Sequence, residues 1–308
     1  MAKFEMKDFV GVIPAMMTIF DKNEEIDEKA TRDFVNYLIK KGVDGLYLTG
    51  STGEGFLMTG EERKKVVEIV ISEVDGRIPV MVHVGDIGTK KSIELAKHAY
   101  ETGADAISSV PPFYWKFKED NMFQYYKDIS ESTPLPMVVY NVPLVGALGI
   151  DFVKRLATID NVKGVKYTLP THFEIVQMKE QIGEDFIIYS GCDEMAVSGL
   201  MNGADGIIGS FYNIIPELFK DIYNAVRNND METARTKQDA AVHIIMYSVK
   251  YDFISIMRHV LRMLGVEGGY SRRPFSNLSD SEFEAVKSDL KEIKTKHNIE
   301  GVDFLDLL

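Results

Sequence analysis

Short apolar runs alternate with longer amphipathic segments along most of the chain. The runs are Val10–Phe20, Val43–Gly50, Ile78–Val84, Ala104–Val110, Leu135–Asn141, Val162–Thr168, Phe186–Gly191 and Ala204–Ser210. Their apolar content is nearly continuous, as in strands covered on both faces, which is how parallel sheets are built. Between them, segments such as Glu61–Val74 and Lys90–Thr102 carry a helical period. Thr59-Gly-Glu-Glu62 reads as a capping box for the first of these, and Thr89 reads as the N-cap of the second. Eight strand–helix units predict an α/β fold, a (β/α)8 TIM barrel, because short crossovers favour parallel strands joined by helices. A doubly wound open sheet is the alternative, but no G-x-G-x-x-G follows the first run.

Pro216–Arg227 reads as the last barrel helix, and beyond it the strand pattern stops. Met231–Tyr247, Phe253–Leu264 and Asp280–His297 read as helices, with Ser279 capping the third. The chain therefore divides into a barrel over residues 1–227 and a C-terminal helical extension over 228–308, packed on the barrel or on a neighbouring subunit.

Charge and composition narrow the possible partners. A net charge of -12 without a basic cluster argues against nucleic acid. The single cysteine, Cys192, rules out an intramolecular disulfide framework and fits a reducing compartment. The six histidines are scattered, and no Cys/His spacing suggests a metal site. Met1–Asp8 lacks the apolar core of a signal peptide, and no apolar stretch is long enough to span a bilayer. These features point to a cytoplasmic protein that acts on a small molecule.

In a barrel of this kind the site is built at the C-terminal strand ends. Lys166 stands at the end of Val162–Thr168, and Tyr140 ends the preceding run. An amine at such a position can be desolvated, which leaves it free to attack a carbonyl, and a neighbouring phenol can relay protons. Together they suggest Schiff-base chemistry with no metal or organic cofactor. Thr168 lies two residues past Lys166 and points the same way along the strand. Gly50-Ser51-Thr52-Gly53-Glu54-Gly55 can hold a carboxylate through hydroxyls and backbone N–H groups, or can simply be a turn ahead of a helix. Tyr114, in Pro111-Pro-Phe-Tyr-Trp115, either packs against a neighbour or projects its hydroxyl into a site. Asp193 and Glu194, after Gly191, can cap the next helix or accept hydrogen bonds from a polyol. Cys192 has no histidine nearby in sequence and reads as a pocket wall. Gly209-Ser210 ends the eighth run with small residues that leave room for a substrate.

Gly50-Ser-Thr-Gly-Glu54, Tyr140-Asn-Val-Pro143, Gly164-Val-Lys166 and Gly206–Ser210, in that order and each at a predicted strand end, resemble the pyruvate-dependent class I aldolase family. That family contains dihydrodipicolinate synthase and N-acetylneuraminate lyase, and the resemblance runs from about Val10 to Arg273-Pro274. It implies that Lys166 forms an imine with pyruvate, that Tyr140 shuttles the proton, and that Ser51 and Thr52 bind the pyruvate carboxylate. It also implies that Tyr114 reaches across a dimer interface, within a homotetramer built as a dimer of dimers. The synthase branch carries an arginine just after Tyr-Asn-Val-Pro, whereas here Leu144-Val-Gly-Ala-Leu148 follow and the next arginine is Arg155. The lyase branch is matched by Thr168, Asp193-Glu194 and Gly209-Ser210, followed by Phe211-Tyr-Asn-Ile214. The resemblance therefore implies reversible cleavage of N-acetylneuraminate to pyruvate and N-acetylmannosamine, with Thr168, Asp193, Glu194 and Ser210 gripping the polyol. Cleavage of another 2-keto-3-deoxy sugar acid, such as 2-keto-3-deoxygluconate, is the nearest alternative. Dihydrodipicolinate synthesis and non-catalytic keto-acid binding are further ones. Two departures from the lyase pattern lie close to the pocket: Leu169-Pro170 after Thr168, and a shorter loop after Pro143.

Overall fold

The computed structural model describes residues 3–308. The apolar runs become strands β1 (Gly11–Pro14), β2 (Leu46–Leu48), β3 (Val80–His83), β4 (Ala106–Ser109), β5 (Met137–Asn141), β6 (Val162–Tyr167), β7 (Ile187–Ser190) and β8 (Gly206–Gly209). They pair in parallel in the order β1-β8-β7-β6-β5-β4-β3-β2. The ring closes where Met16 N–H donates to the Tyr47 carbonyl and Asp44 N–H to the Val12 carbonyl, both at 2.9 Å. The predicted barrel is present. Around it lie α1 (Glu28–Lys40), α2 (Gly60–Val74), α3 (Thr89–Thr102), α4 (Glu119–Ser130), α5 (Ile150–Leu156), α6 (Phe173–Ile182), α7 (Ala196–Met201) and α8 (Pro216–Arg227).

A repeated tetrapeptide sets the strands in place. Gly42-Val-Asp44-Gly45, Gly103-Ala-Asp105-Ala106 and Gly203-Ala-Asp205-Gly206 precede β2, β4 and β8. In each case the aspartate accepts a backbone N–H from the adjoining strand: Val12 at 2.7 Å, Val80 at 3.0 Å and Ile188 at 2.7 Å. These amides lie at the N-terminal ends of the strands, where burial would otherwise leave a donor unpaired. Lys179, itself buried, completes the third unit by donating to Asp205 at 2.8 Å and to the Phe186 carbonyl at 2.9 Å.

Two predictions at element boundaries are corrected. The first apolar run forms a strand only over Gly11–Pro14. Ala15–Phe20 is apolar for another reason: it is a buried loop against which the C-terminal extension packs, with Tyr270 N–H donating to the Phe20 carbonyl at 2.9 Å. Thr89 is not an N-cap but the first helical residue, and the extended cap position falls on Gly88, which offers no side chain. The capping box at Thr59 is formed, with reciprocal bonds between Thr59 and Glu62.

Side chains inside the barrel form one cluster, in which Ile13, Tyr47, Met81, Val138, Tyr140, Tyr189 and Ile208 meet. A larger cluster lies between the outer faces of the strands and the helices. The extension comprises α9 (Met231–Ser248), α10 (Phe253–Met263), α11 (Asp280–Lys296) and α12 (Asp303–Asp306). Ser279 caps α11 as the sequence suggests. The four-residue α12 is too short to show a period, so the sequence pattern gives no sign of it. α10 is buried along nearly its whole length, from Ile254 to Leu261. Gln238 on α9 donates to the Asp193 carbonyl at 3.1 Å, so the extension touches the loop after β7. Among the described residues no single helix is long and apolar enough to cross a membrane.

Asp205→Ala would strand the buried Lys179 ammonium and the Ile188 N–H together. Equilibrium urea unfolding should show a loss of about 3–5 kcal/mol, the range for breaking one side of a buried pair. A loss within about 1 kcal/mol would remove the aspartate repeat from the account of barrel stability.

Candidate active site

Strand register decides what stands next to Lys166. Tyr140 on β5 is its partner on one side and Tyr189 on β7 on the other, and all three side chains point into the barrel. Lys166 is 4 % exposed. Among the described residues no carboxylate pairs with it. Its Nζ lies instead 4.2 Å from the centroid of the Tyr140 ring and 4.5 Å from that of Tyr47. Aromatic faces attract a cation while withholding water, so this amine sits in a dry, electron-rich socket.

Tyr47 and His83 carry no mark in the sequence beyond their places in apolar runs, yet they complete the socket. The Tyr47 ring meets Tyr140 edge-on at 6.1 Å, and His83 meets Tyr140 at the same distance and 90°. The Tyr47 hydroxyl is 3.1 Å from Ser108 Oγ, and burial pushes its ionisation far above the ordinary phenol range. Burial holds the His83 imidazole well below its ordinary value, with the nearby charges of Arg63 and Lys166 acting the same way. Val110 N–H donates to His83 Nε2 at 3.2 Å, which makes that nitrogen an acceptor. Beneath them the buried Arg63 donates to the Gly85 carbonyl at 3.0 Å, and burial brings its guanidinium down to about 10. It therefore remains charged at neutral pH. One signal is available in the sequence: a histidine at the C-terminal end of a barrel strand occupies a site-building position.

Among the other residues singled out from sequence, three pairs meet and one residue stands apart. Thr52 Oγ1 and Ser210 Oγ are 2.7 Å apart, joining the loops after β2 and β8, with Ser51 half-buried beside them. Thr168 packs on Gly191, where a Cβ carbon in place of the glycine hydrogen would fall 2.0 Å from Thr168 Oγ1, so only glycine allows the approach. Asp193 packs on Gly209 in the same manner, with 1.9 Å from such a carbon to its Oδ1. The Asp193 carboxylate does not cap a helix. It accepts the Phe211 N–H at 2.8 Å and so braces the loop after β8. Glu194, its neighbour, is exposed. Cys192 is buried, and burial followed by the charges of Glu194 and Asp193 drives its thiol up to about 12, which suits a wall and not a nucleophile. The outlier is Tyr114. It is 82 % exposed, in a left-handed backbone conformation (φ 80°), with its ring edge-on to Trp115. Nothing within one chain brings it to Lys166.

After β5, Asn141 holds the short loop. Its side chain donates to the Leu148 carbonyl at 2.9 Å and accepts the Leu148 N–H at 2.8 Å. Val142, Leu144 and Val145 from this loop, with Phe56, Val110 and Phe275, wall a cavity of about 240 Å³ beside Ser51. Its lining contains no lysine or arginine. Arg155 lies in α5 and pairs with Asp120 at 2.7 Å. Leu169 packs on the core and Pro170 is exposed ahead of α6, so this departure lies at the outer edge of the mouth. Among the described residues no three His, Cys, Asp or Glu side chains are grouped to hold a metal ion.

A parallel barrel with a buried lysine at the end of its sixth strand is the frame of a class I aldolase, a carbon–carbon lyase that works through pyruvate. The chain belongs to the dihydrodipicolinate synthetase family, whose model matches residues 8–293. It is 36% identical over 295 residues to N-acetylneuraminate lyase 2 of Escherichia coli O6:H1, covering 94% of this chain and 96% of the relative. It is 31% identical over 278 residues to the N-acetylneuraminate lyase of Rhizobium meliloti, covering 90% and 93%. Among solved structures, the sialic acid aldolase of Ruminococcus gnavus superposes with a TM-score of 0.89 at 33% identity, covering 94% of this chain and 98% of that one. A dihydrodipicolinate synthase of Bacillus anthracis superposes with 0.86 at 32% identity, covering 91% and 97%.

Asp193 gives a pH test of the site. Burial pushes its carboxyl up to about 7, against the pull of the Phe211 N–H. A raised folded-state value means that the native protein holds a proton the unfolded chain has lost. That contribution to stability is complete below about pH 4 and disappears as pH rises through about 7. Asp193→Asn keeps the acceptor for Phe211 and cannot ionise. Its melting temperature relative to the parent should therefore climb between about pH 5 and about pH 8. A constant difference would show that Asp193 does not titrate in that window.

Proposed function

We propose that the protein cleaves N-acetylneuraminate reversibly to pyruvate and N-acetylmannosamine through an imine on Lys166. The observation that carries this reading is the burial of the Lys166 amine against the Tyr140 ring at the C-terminal mouth of the barrel. Nζ adds to the C2 carbonyl of the open-chain keto acid, and water leaves to give the protonated imine. Ser51 and Thr52 hold the carboxylate. Tyr140, assisted by that carboxylate, takes the proton from the C4 hydroxyl. The C3–C4 bond breaks, its electron pair flows into the imine to form an enamine, and the aldehyde departs. Protonation at C3 and hydrolysis release pyruvate and restore the amine. Thr168, Asp193, Glu194 and Ser210, with Gly191 and Gly209 leaving room, line the side on which the polyol lies. A second copy of the chain, within a homotetramer, supplies Tyr114 to the mouth.

The names of the relatives favour the sialate substrate, and the loop after β5 supports it. Dihydrodipicolinate synthesis would call for a cation near Leu144-Val-Gly-Ala-Leu148, where the wall is apolar and Arg155 points to Asp120. Another 2-keto-3-deoxy sugar acid is the remaining rival, since the exchange of a polyol chain alters only the acceptor half.

Pyruvate release from N-acetylneuraminate, coupled to lactate dehydrogenase, should be robust in the parent and absent in Lys166→Ala. Silence from a folded protein that still traps pyruvate on Lys166 under borohydride would keep the imine and discard the sialate. Tyr140→Phe should lower kcat by about 10²–10⁴-fold, the span of a positioned acid–base group, while the borohydride adduct still forms. A kcat within about threefold of the parent would free Tyr140 from the proton-transfer role.

A further inference from the structure

The loop that carries Ser51 and Thr52 is tied to the far end of the chain. It is a tight turn, in which Glu54 N–H donates to the Ser51 carbonyl and Gly55 N–H to the Gly50 carbonyl, each at 3.0 Å. Glu54 closes it in the left-handed backbone region, at φ 56°. A residue with a side chain stays there only where its surroundings hold it. Here the holding group is its own carboxylate. Glu54 is 2 % exposed, its Oε1 is ion-paired with Arg258 Nη2, and its Oε2 accepts the Arg272 N–H at 2.7 Å.

Arg258 lies on α10 and is 1 % exposed. Its remaining donors go to Ser271 Oγ at 3.0 Å, the Gly268 carbonyl at 2.7 Å and the Thr18 carbonyl at 3.1 Å. The Thr18 hydroxyl in turn donates to the Gly53 carbonyl at 2.7 Å. One guanidinium thus bears on the turn from two directions, through the Glu54 carboxylate and through Thr18. Arg272 adds a third hold by donating to the Leu57 carbonyl at 3.1 Å. On its open side the same turn is bonded to the loop after β8, through Thr52 and Ser210 at 2.7 Å. A charge pair this deep is poor at adding stability over an apolar equivalent. What it does well is to fix one geometry.

We propose that Arg258 is a positioning residue for keto-acid binding: through Glu54 it sets the turn so that the Ser51 and Thr52 hydroxyls and N–H groups converge on the carboxylate. The C-terminal extension is then a working part of the active site. This rests on the reading of Ser51 and Thr52 as the carboxylate grip, and the test separates the two.

The full-length protein is titrated with pyruvate, trapped with borohydride, and the Lys166 adduct is quantified by mass spectrometry in the parent, Arg258→Lys and Glu54→Gln. Arg258→Lys keeps the charge and loses the planar fork that reaches Glu54, Gly268 and Ser271 together. Glu54→Gln keeps the shape and loses the charge. The half-saturating pyruvate concentration should rise about 10- to 100-fold in both, as for a displaced binding group, with the plateau of trapped Lys166 retained. Arg273→Ala, which breaks only the exposed pair with Glu24, should leave both quantities unchanged. A purely structural role for Arg258 would lower the melting temperature and the plateau but leave half-saturation where it was, and that result overturns the inference. Should a variant fail to fold, Ser271→Ala, which frees only Arg258 Nε, carries the same comparison with a smaller shift in the same direction. Absence of any Lys166 adduct in the parent overturns the imine reading and this inference with it. A normal parent adduct with unmoved half-saturation in the variants overturns only the role of Arg258.

Discussion

At 4 % exposure and with no carboxylate ion-paired to it among the described residues, the Lys166 amine has lost most of its water, and the faces of Tyr140 and Tyr47 return only part of what hydration gave. Such a placement persists only if the surrounding structure leaves the side chain nowhere else to go. The closed barrel meets that demand. Register sets Tyr140 and Tyr189 on either side, and the interior below is filled by Ile13, Met81, Val138 and Ile208. The aspartate repeat at the opposite end fixes β1, β3 and β7, which carry Ile13, Met81 and Tyr189. The chemistry at one rim therefore depends on hydrogen bonds at the other.

Charge is distributed around the socket in a way that suits an anionic keto acid. Arg63 stays charged below His83, and His83 stays neutral, so a fixed positive charge lies near the amine without a proton-exchanging partner. Asp193, on the far side, is held near its titration midpoint at neutral pH by burial. A carboxyl that is partly neutral and already engaged with the Phe211 N–H repels an incoming carboxylate less than an exposed aspartate would. Asp193 thus adds polarity to the wall that would face a polyol without adding a full charge.

Much of this architecture can be read from the chain because the signals are local. Apolar runs mark the strands, Thr59/Glu62 and Ser279/Glu282 mark helix starts, and alternation places Lys166 and Thr168 on one face. What escapes such a reading has a common cause. Tyr47 and His83 look like ordinary members of strand runs, and only barrel closure turns them onto Lys166. Glu54 sits inside a recognisable loop, but its partner Arg258 is 204 positions away on a helix that reads as merely amphipathic. Ala15–Phe20 looks like strand because burial under the extension leaves the same apolar trace as burial in a sheet. Periodicity reports how deeply a residue is buried and is silent about which distant segment buries it.

The mouth has two unlike walls, and their difference bears on the acceptor. On the side of β5 the lining is Val142, Leu144, Val145 and Phe275, an apolar surface with no cation to meet a second carboxylate. On the side of β6 to β8 the residues are polar: Ser210 is half-buried and Glu194 exposed, while Asp193 and the Thr168 hydroxyl are buried. A substrate anchored by its own carboxylate near Thr52 can extend over either wall, but only the second can replace the hydrogen bonds that a polyol gives up on leaving water. Burying hydroxyls against the first wall would leave each of them unpaired, at about 1–3 kcal/mol apiece. The asymmetry of the walls would thus direct a hydroxylated chain, if one is bound, toward β6 to β8.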